Sequence, residues 1–343
     1  ADRPWCAHVP QILYSRRLGI SALQTLYGAN YNHLASDTVY RWSATTGEAF
    51  IDGVGQGAPG ANRIFSTVWD GGGVDTFDFS NYGDGVLVDL SPGGGSVPAA
   101  AQRAFLNWAD GRGAAIKADG AVYASNLFEG DERALIENAV GGAGADTISG
   151  NQGENRLTGG AGADRLNGLG DADVLLGGLG GDTIRAGAGA DRAFGEGGGD
   201  MIWGEGGADL LVGAGGDDRL RGGRNDDKLK GGEGRDHLRG GAADDTLLGG
   251  ADEDVLNGGR GDDTLRGGRD ADAFVFRRGG GEDKVADFKI GEDVLDFSAF
   301  NASEADLVVT TGAGGAARLE LADVVVILRS VDAEELPADA FLF

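Results

Sequence analysis

Gly222-Gly-Arg-Asn-Asp-Asp-Lys-Leu-Lys230, Gly231-Gly-Glu-Gly-Arg-Asp-His-Leu-Arg239 and Gly240-Gly-Ala-Ala-Asp-Asp-Thr-Leu-Leu248 follow one another without a gap. The same nine-residue frame runs from Gly141 to Val275, fifteen times, with no insertion or deletion. Its first position is Gly in every repeat but one, Ala186. Its sixth position is Asp146, Asn155, Asp164, Asp173, Asp182, Asp191, Asp200, Asp209, Asp218, Asp227, Asp236, Asp245, Asp254, Asp263 and Asp272. Its eighth is Leu, Ile or Phe in every repeat except at Ala193. A flexible glycine-rich linker has no reason to hold Asp and Leu at fixed offsets, so the period argues against disorder.

Each position has a physical task. The fourth is Gly, Asn or Asp in every repeat except at Ala243, and these residues tolerate a left-handed backbone. A positive φ is therefore expected there, with Ala243 strained. Six residues form a turn carrying the aspartate. Three strand residues follow, the middle one facing inward because side chains alternate along a strand. The fold predicted is all-β, a parallel β-roll.

Composition bounds the function. The 343 residues hold 55 Asp and Glu against 29 Lys and Arg, a formal net charge of −26. That balance excludes nucleic acid as the natural partner and favours cations. Cys6 is the only cysteine, so no intrachain disulfide can form. No apolar run approaches the roughly 18 residues of a transmembrane helix. Ala1-Asp-Arg-Pro-Trp5 does not begin a Sec-type signal, so an export address is expected elsewhere.

The repeat resembles the Gly-Gly-x-Gly-x-Asp-x-U-x nonapeptide of RTX proteins, a calcium-binding parallel β-helix. The resemblance implies two repeats per coil and several Ca²⁺ ions between stacked turns. The ligands it implies are the fourteen position-six aspartates named above, from Asp146 to Asp272. Backbone carbonyls of turn glycines such as Gly159, Gly177, Gly222, Gly231, Gly240, Gly249 and Gly258 would complete them. Hard oxygen donors in a flexible cage suit Ca²⁺. Asn155, Leu169, Glu196 and Glu205 depart from the pattern and put their turns in doubt.

The flanks resemble the serralysin family of secreted zinc proteases. Leu23-Gln-Thr-Leu-Tyr-Gly-Ala-Asn-Tyr31, Trp69-Asp-Gly-Gly-Gly-Val-Asp-Thr-Phe-Asp-Phe-Ser80 and Ile136-Glu-Asn-Ala-Val-Gly-Gly142 carry the likeness. Residues 97–130 match less well. The family's H-E-x-x-H-x-x-G-x-x-H motif has no counterpart. His8, His33 and His237 are followed by Val9, Leu34 and Leu238, and Met201 lies inside a repeat. No catalytic residue is expected, and the chain reads as non-catalytic.

Three regions are expected. Residues 1–140 form a serralysin-like β region with a short helix near 20–28. Residues 141–275 form the roll. Residues 276–343 form a cap whose last five, Asp339-Ala-Phe-Leu-Phe343, resemble a type I secretion signal. The function expected is calcium-dependent folding of a secreted, extracellular monomer that meets calcium and the type I secretion machinery. The alternatives are an adhesin binding an anionic polysaccharide, through outward Arg219, Arg221 and Arg239 or Lys228 and Lys230, and the C-terminal part of an active metalloprotease. Outward Val174, Leu176, Phe194, Leu210 and Val212 fall in even-numbered repeats and should share one sheet and need cover.

Overall fold

The structure, a computed structural model, describes residues 29–64, 66–102, 122–124, 126–127, 129–312, 315–329 and 331–343. The helix expected near 20–28 lies outside the described residues, as does His8. The chain divides into two compact units, Ala1–Gly168 and Leu169–Phe343. Each is built of stacked parallel strands, with no α-helix among the described residues.

In the second unit, strands Val174–Leu179, Arg192–Gly197, Leu210–Gly215, Lys228–Glu233, Thr246–Ala251 and Thr264–Gly268 pair in parallel order. Strands Thr183–Ala188, Met201–Gly206, Arg219–Arg224, His237–Ala242, Val255–Arg260 and Ala273–Val275 form a second parallel sheet. Partners are eighteen residues apart, as in Leu211 opposite Leu229. Two nonapeptides therefore make one coil, alternate repeats entering alternate sheets. The position-eight residues face inward and are at most 2% exposed from Leu166 to Phe274.

Three strand residues per repeat were expected, but the ladders hold up to six. Lys228–Glu233 runs through positions seven to nine and on through positions one to three of the next repeat. Glycine makes this possible. From residue 159 onward, position two as well as position four takes a positive φ in every repeat, which the sequence reading missed. Leu169, Glu196, Glu205 and Ala214 are thus held left-handed at position two, in addition to Ala243 at position four. Gly144 and Gly153 are the exceptions at position four, and the nearest neighbours of these two glycines are Gly85 and Leu135 rather than a preceding nonapeptide.

An alanine held left-handed costs roughly 1–2 kcal/mol. Ala214→Gly and Ala243→Gly should therefore each stabilise the calcium-loaded protein by about 1 kcal/mol in urea denaturation. Ala190→Gly, at a position with ordinary φ, should do the opposite. Equal effects at all three sites would contradict the strain argument.

Both ladders extend past the repeats. Leu265 pairs with Val285 and Phe274 with Leu295, so the coil lengthens from eighteen to twenty and twenty-one residues. Val324–Leu328 and Phe341–Leu342 add the final parallel strands, and Val308–Thr311 with Ala317–Leu321 closes one sheet by antiparallel pairing. At this end buried Phe297 stacks on Phe276 and on the more exposed Phe343 and meets Phe300 edge-on.

The first unit uses the same geometry with different residues. Val39–Trp42, Thr76–Asp78, Asn138–Val140 and Arg156–Ala161 pair in parallel, bringing Tyr40, Phe77, Ala139 and Leu157 into one buried row. Leu87–Asp89, Thr147–Ser149 and Arg165–Gly170 set Val88, Ile148 and Leu166 in a second row. Tyr40, Trp42, Phe77, Phe79 and Tyr82 form the aromatic core.

Val174, Leu176, Phe194, Leu210 and Val212 do share one sheet and are each half-buried.

Candidate metal centres

The strand that follows each turn begins one residue after the aspartate, so the position-six side chain is drawn inside the turn. All fourteen aspartates are at most 3% exposed. One carboxylate oxygen of each is spoken for. The N–H of Asp209 donates to Oδ1 of Asp227 at 2.8 Å, Asp218 to Asp236 at 2.9 Å, Asp227 to Asp245 at 2.8 Å and Asp236 to Asp254 at 2.9 Å. The ladder continues coil by coil from Asp173 to Asp272 along both sides of the second unit.

The second oxygen is different. From Asp191 to Asp272, Oδ2 of every position-six aspartate is buried and accepts no hydrogen bond. A buried polar atom left unsatisfied costs roughly 1–3 kcal/mol, and more when charged. One such atom is tolerable; a row of them on each side of the second unit is a set of donors open to a cation.

The invariant first glycine shows where it would sit. A Cβ on Gly231 would collide with Oδ2 of Asp236 and lie 2.7 Å from the carbonyl oxygen of Gly249. The same point recurs between Gly204, Asp209 and the Gly222 carbonyl, between Gly222, Asp227 and the Gly240 carbonyl, and between Gly240, Asp245 and the Gly258 carbonyl. In the first unit the Gly159 carbonyl faces Asp146 in this way. Gly177 and Gly231 supply the open Cα of such a cradle. Carboxylate and carbonyl oxygens converging on space free of side chain are a donor set suited to Ca²⁺. Ala186 places a Cβ at this point in the repeat carrying Asp191, which makes that cradle the poorest fit.

Electrostatics point the same way. Burial pushes Asp236 and Asp245 up to about 8, with the charges of Asp218 and Asp254 adding to it at Asp236 and those of Asp263 and Asp227 at Asp245. Asp227, Asp254 and Asp272 are pushed to about 7, again chiefly by burial. Among the described residues no three acidic, His or Cys side chains are grouped so as to hold a metal.

The first coils are built otherwise. Asp146 accepts from Val86 N at 2.6 Å and from Gly142 N at 2.6 Å, so both its oxygens are hydrogen-bonded. Asn155 turns its amide nitrogen to the Glu137 carbonyl at 3.0 Å and to Asn151 Oδ1 at 3.2 Å. An N–H here does the bridging that a cation would do elsewhere.

Several carboxylates in equivalent places escaped the sequence reading. Asp283 accepts from Asp263 N at 3.1 Å and Asp293 from Asp272 N at 3.0 Å, extending both ladders into the cap. In the first unit Asp75 accepts from Thr38 N at 2.8 Å, and Asp75 N donates to Glu137 at 2.7 Å. Asp75 Oδ2 is buried without a hydrogen bond, and burial with the neighbouring Asp70 charge pushes Asp75 to about 8. Asp70 is itself held by the Tyr40 hydroxyl at 2.5 Å. The signal was present as Asp-x-apolar triplets, Asp75-Thr-Phe77, Asp283-Lys-Val285 and Asp293-Val-Leu295, but off the nine-residue frame.

Residues 140–281 match the family described as RTX calcium-binding nonapeptide repeat in five segments, 140–175, 176–211, 212–247, 239–274 and 248–281. Residues 29–96 match the family described as Peptidase M10 serralysin C terminal. The chain carries RTX calcium-binding repeats joined to a serralysin C-terminal region. Metallopeptidase AprA of Pseudomonas marginalis is 38% identical over 132 residues, and Serralysin G of Dickeya chrysanthemi 40% over 132. Each alignment spans 38% of this chain and only 22% of the relative. The solution structure of the AlgE6R3 subunit of Azotobacter vinelandii mannuronan C5-epimerase aligns with 51% of this chain and 80% of its own, at 25% identity and a TM-score of 0.20. The serralysin relatives align over the C-terminal region, and no protease-domain match falls within this chain.

Proposed function

We propose that this chain is the calcium-folded, non-catalytic module of a serralysin-like protein exported by type I secretion. The observation that carries the reading is the row of buried aspartate oxygens with no hydrogen-bond partner from Asp191 to Asp272. The position-six aspartates from Asp191 to Asp272, with the position-one carbonyls, would hold the ions. Bound Ca²⁺ supplies the positive charge that these oxygens lack.

The chain's own residues do the rest. Oδ1 of each aspartate fixes the turn of the preceding coil, so binding in one turn orders the next. Where calcium is scarce, the 26 acidic residues of 141–275 outnumber the 14 basic ones and repel. Where calcium is abundant the coils close, and folding on the far side of a membrane opposes return. The tail is compatible with an export address while also pairing as Phe341–Leu342 with Leu295 and Asp296.

Export through a type I exporter in cells tests the reading. Yield outside the cell should fall when EGTA replaces millimolar calcium in the medium, and deletion of Asp339 to Phe343 should stop export. Unchanged yield in both arms would refute it. The purified chain should also show no casein cleavage; zinc-dependent, chelator-sensitive cleavage would contradict the non-catalytic reading.

A further inference from the structure

The two sheets of the second unit carry very different outer faces. On the sheet of odd-numbered repeats, Arg185, Trp203, Arg221 and Arg239 stand in one register row at position nine. Arg219 and His237 stand side by side in the adjoining row at position seven. The four arginines and His237 are exposed, and Trp203 is half-buried. Arg185 lies 5.5 Å over the Trp203 ring and reaches Glu205 at 3.9 Å. Glu205 is the only acidic residue on the strands Thr183–Ala188, Met201–Gly206, Arg219–Arg224, His237–Ala242 and Val255–Arg260. Neither Arg221 nor Arg239 makes an ion pair among the described residues.

Charge balance with the aspartates does not account for this face. The position-six carboxylates are buried within the turns. The opposite sheet shows what an unspecialised face looks like. There Lys228 and Lys230 stand among Leu210, Val212, Thr246 and Leu248, with Glu196 and Glu233 on the same sheet.

We infer that the Arg185–Trp203–Arg221–Arg239 row is a docking surface for a linear, carboxylate-bearing polysaccharide. The members of the row recur at the strand spacing of about 4.8 Å. That is close to the length of one sugar in an extended 1,4-linked chain, so two neighbouring carboxylates can meet the adjacent guanidiniums of Arg221 and Arg239. Arginine binds carboxylate through a planar fork of donors. An indole face in the same row suits the C–H face of a pyranose ring. A nucleic acid would also use the arginines, but stacked bases need several aromatic side chains and the row offers one, Trp203. Calcium in the turns removes negative charge beneath the face, so docking belongs to the calcium-loaded state.

Titration calorimetry of the full chain in millimolar calcium, with a short oligouronate as probe, tests the inference. Binding is expected, weakening as salt rises. R221E/R239E should lower affinity by about tenfold or more, the equivalent of about 1.4 kcal/mol. Trp203→Ala should weaken it, and K228E/K230E on the other sheet should change it less than about twofold. Circular dichroism of each variant with calcium separates misfolding from lost contacts, and so separates failure here from failure of the calcium reading. Equal loss from both double variants, equal binding of the neutral methyl-esterified oligomer, or tighter binding of single-stranded DNA would each overturn it.

Discussion

In EGTA at pH 8 the purified chain should lose most of its far-UV β signal, and millimolar calcium should restore it in one cooperative step. One nonapeptide buries a single Leu or Ile, worth roughly 1.5–3 kcal/mol. Ordering nine residues costs on the order of 9 kcal/mol or more. Coil-to-coil hydrogen bonds add only about 1 kcal/mol each. The remainder has to come from a ligand that binds the folded state alone. Because the cradles join Asp236 to Asp218 and Asp254 through one ladder, occupation of one favours its neighbours.

The pH dependence has a definite sign. Asp236 and Asp245 sit at about 8 in the metal-free fold, against about 3.9 in an unfolded chain. The fold therefore holds more protons than the unfolded chain between those values. Its metal-free stability is greatest below about pH 4 and falls as pH rises towards 8, by up to about 1.4 kcal/mol per unit for each such group. In EGTA, β signal should return on acidification. With calcium present the trend reverses, because protons compete for the same oxygens, and the calcium midpoint should rise as pH drops from 8 to 6. A full β signal in EGTA at pH 8 would defeat the argument.

The second large effect is expected at Asp236. Asp236→Ala removes a cradle oxygen and also orphans the buried Asp218 N–H that Oδ1 accepts at 2.9 Å. It should lower the number of bound ions and raise the calcium midpoint for folding several-fold. Asp236→Asn separates the two contributions. It keeps an acceptor for Asp218 N and loses only the charge. Asp146→Ala should leave the number of ions unchanged, because Gly142 N already occupies its second oxygen. Equilibrium dialysis with calcium gives the count, and circular dichroism the midpoint. If Asp146→Ala removes as many ions as Asp236→Ala, the distinction between paired and unpaired oxygens is wrong.

The period by itself determined the turn-and-strand repeat, the aspartate in each turn and the inward Leu row. These follow from alternation along a strand and from the residues a turn admits, so local chemistry was enough; the two-repeat coil came from the resemblance to RTX repeats and is seen in partners eighteen residues apart. Position four declared its backbone through Asp171, Asn225, Asp252 and Asp270. Position two did not, because Leu169, Glu196, Glu205 and Ala214 have no preference for positive φ and are held there by the stacked coils.

Only the tertiary structure decided which carboxylates are poised for a cation. Asp146 and Asp236 are identical in the repeat. Asp146 differs because Val86, from a distant segment, and Gly142 fill both its oxygens. Asp75, Asp283 and Asp293 joined the rows although insertions moved them off the frame, since a solenoid aligns residues by hydrogen-bonded coil and not by sequence interval. The cradle itself was out of reach of the sequence: a glycine states only that a Cβ is missing, and the neighbouring coil determines that an aspartate and a carbonyl oxygen take its place.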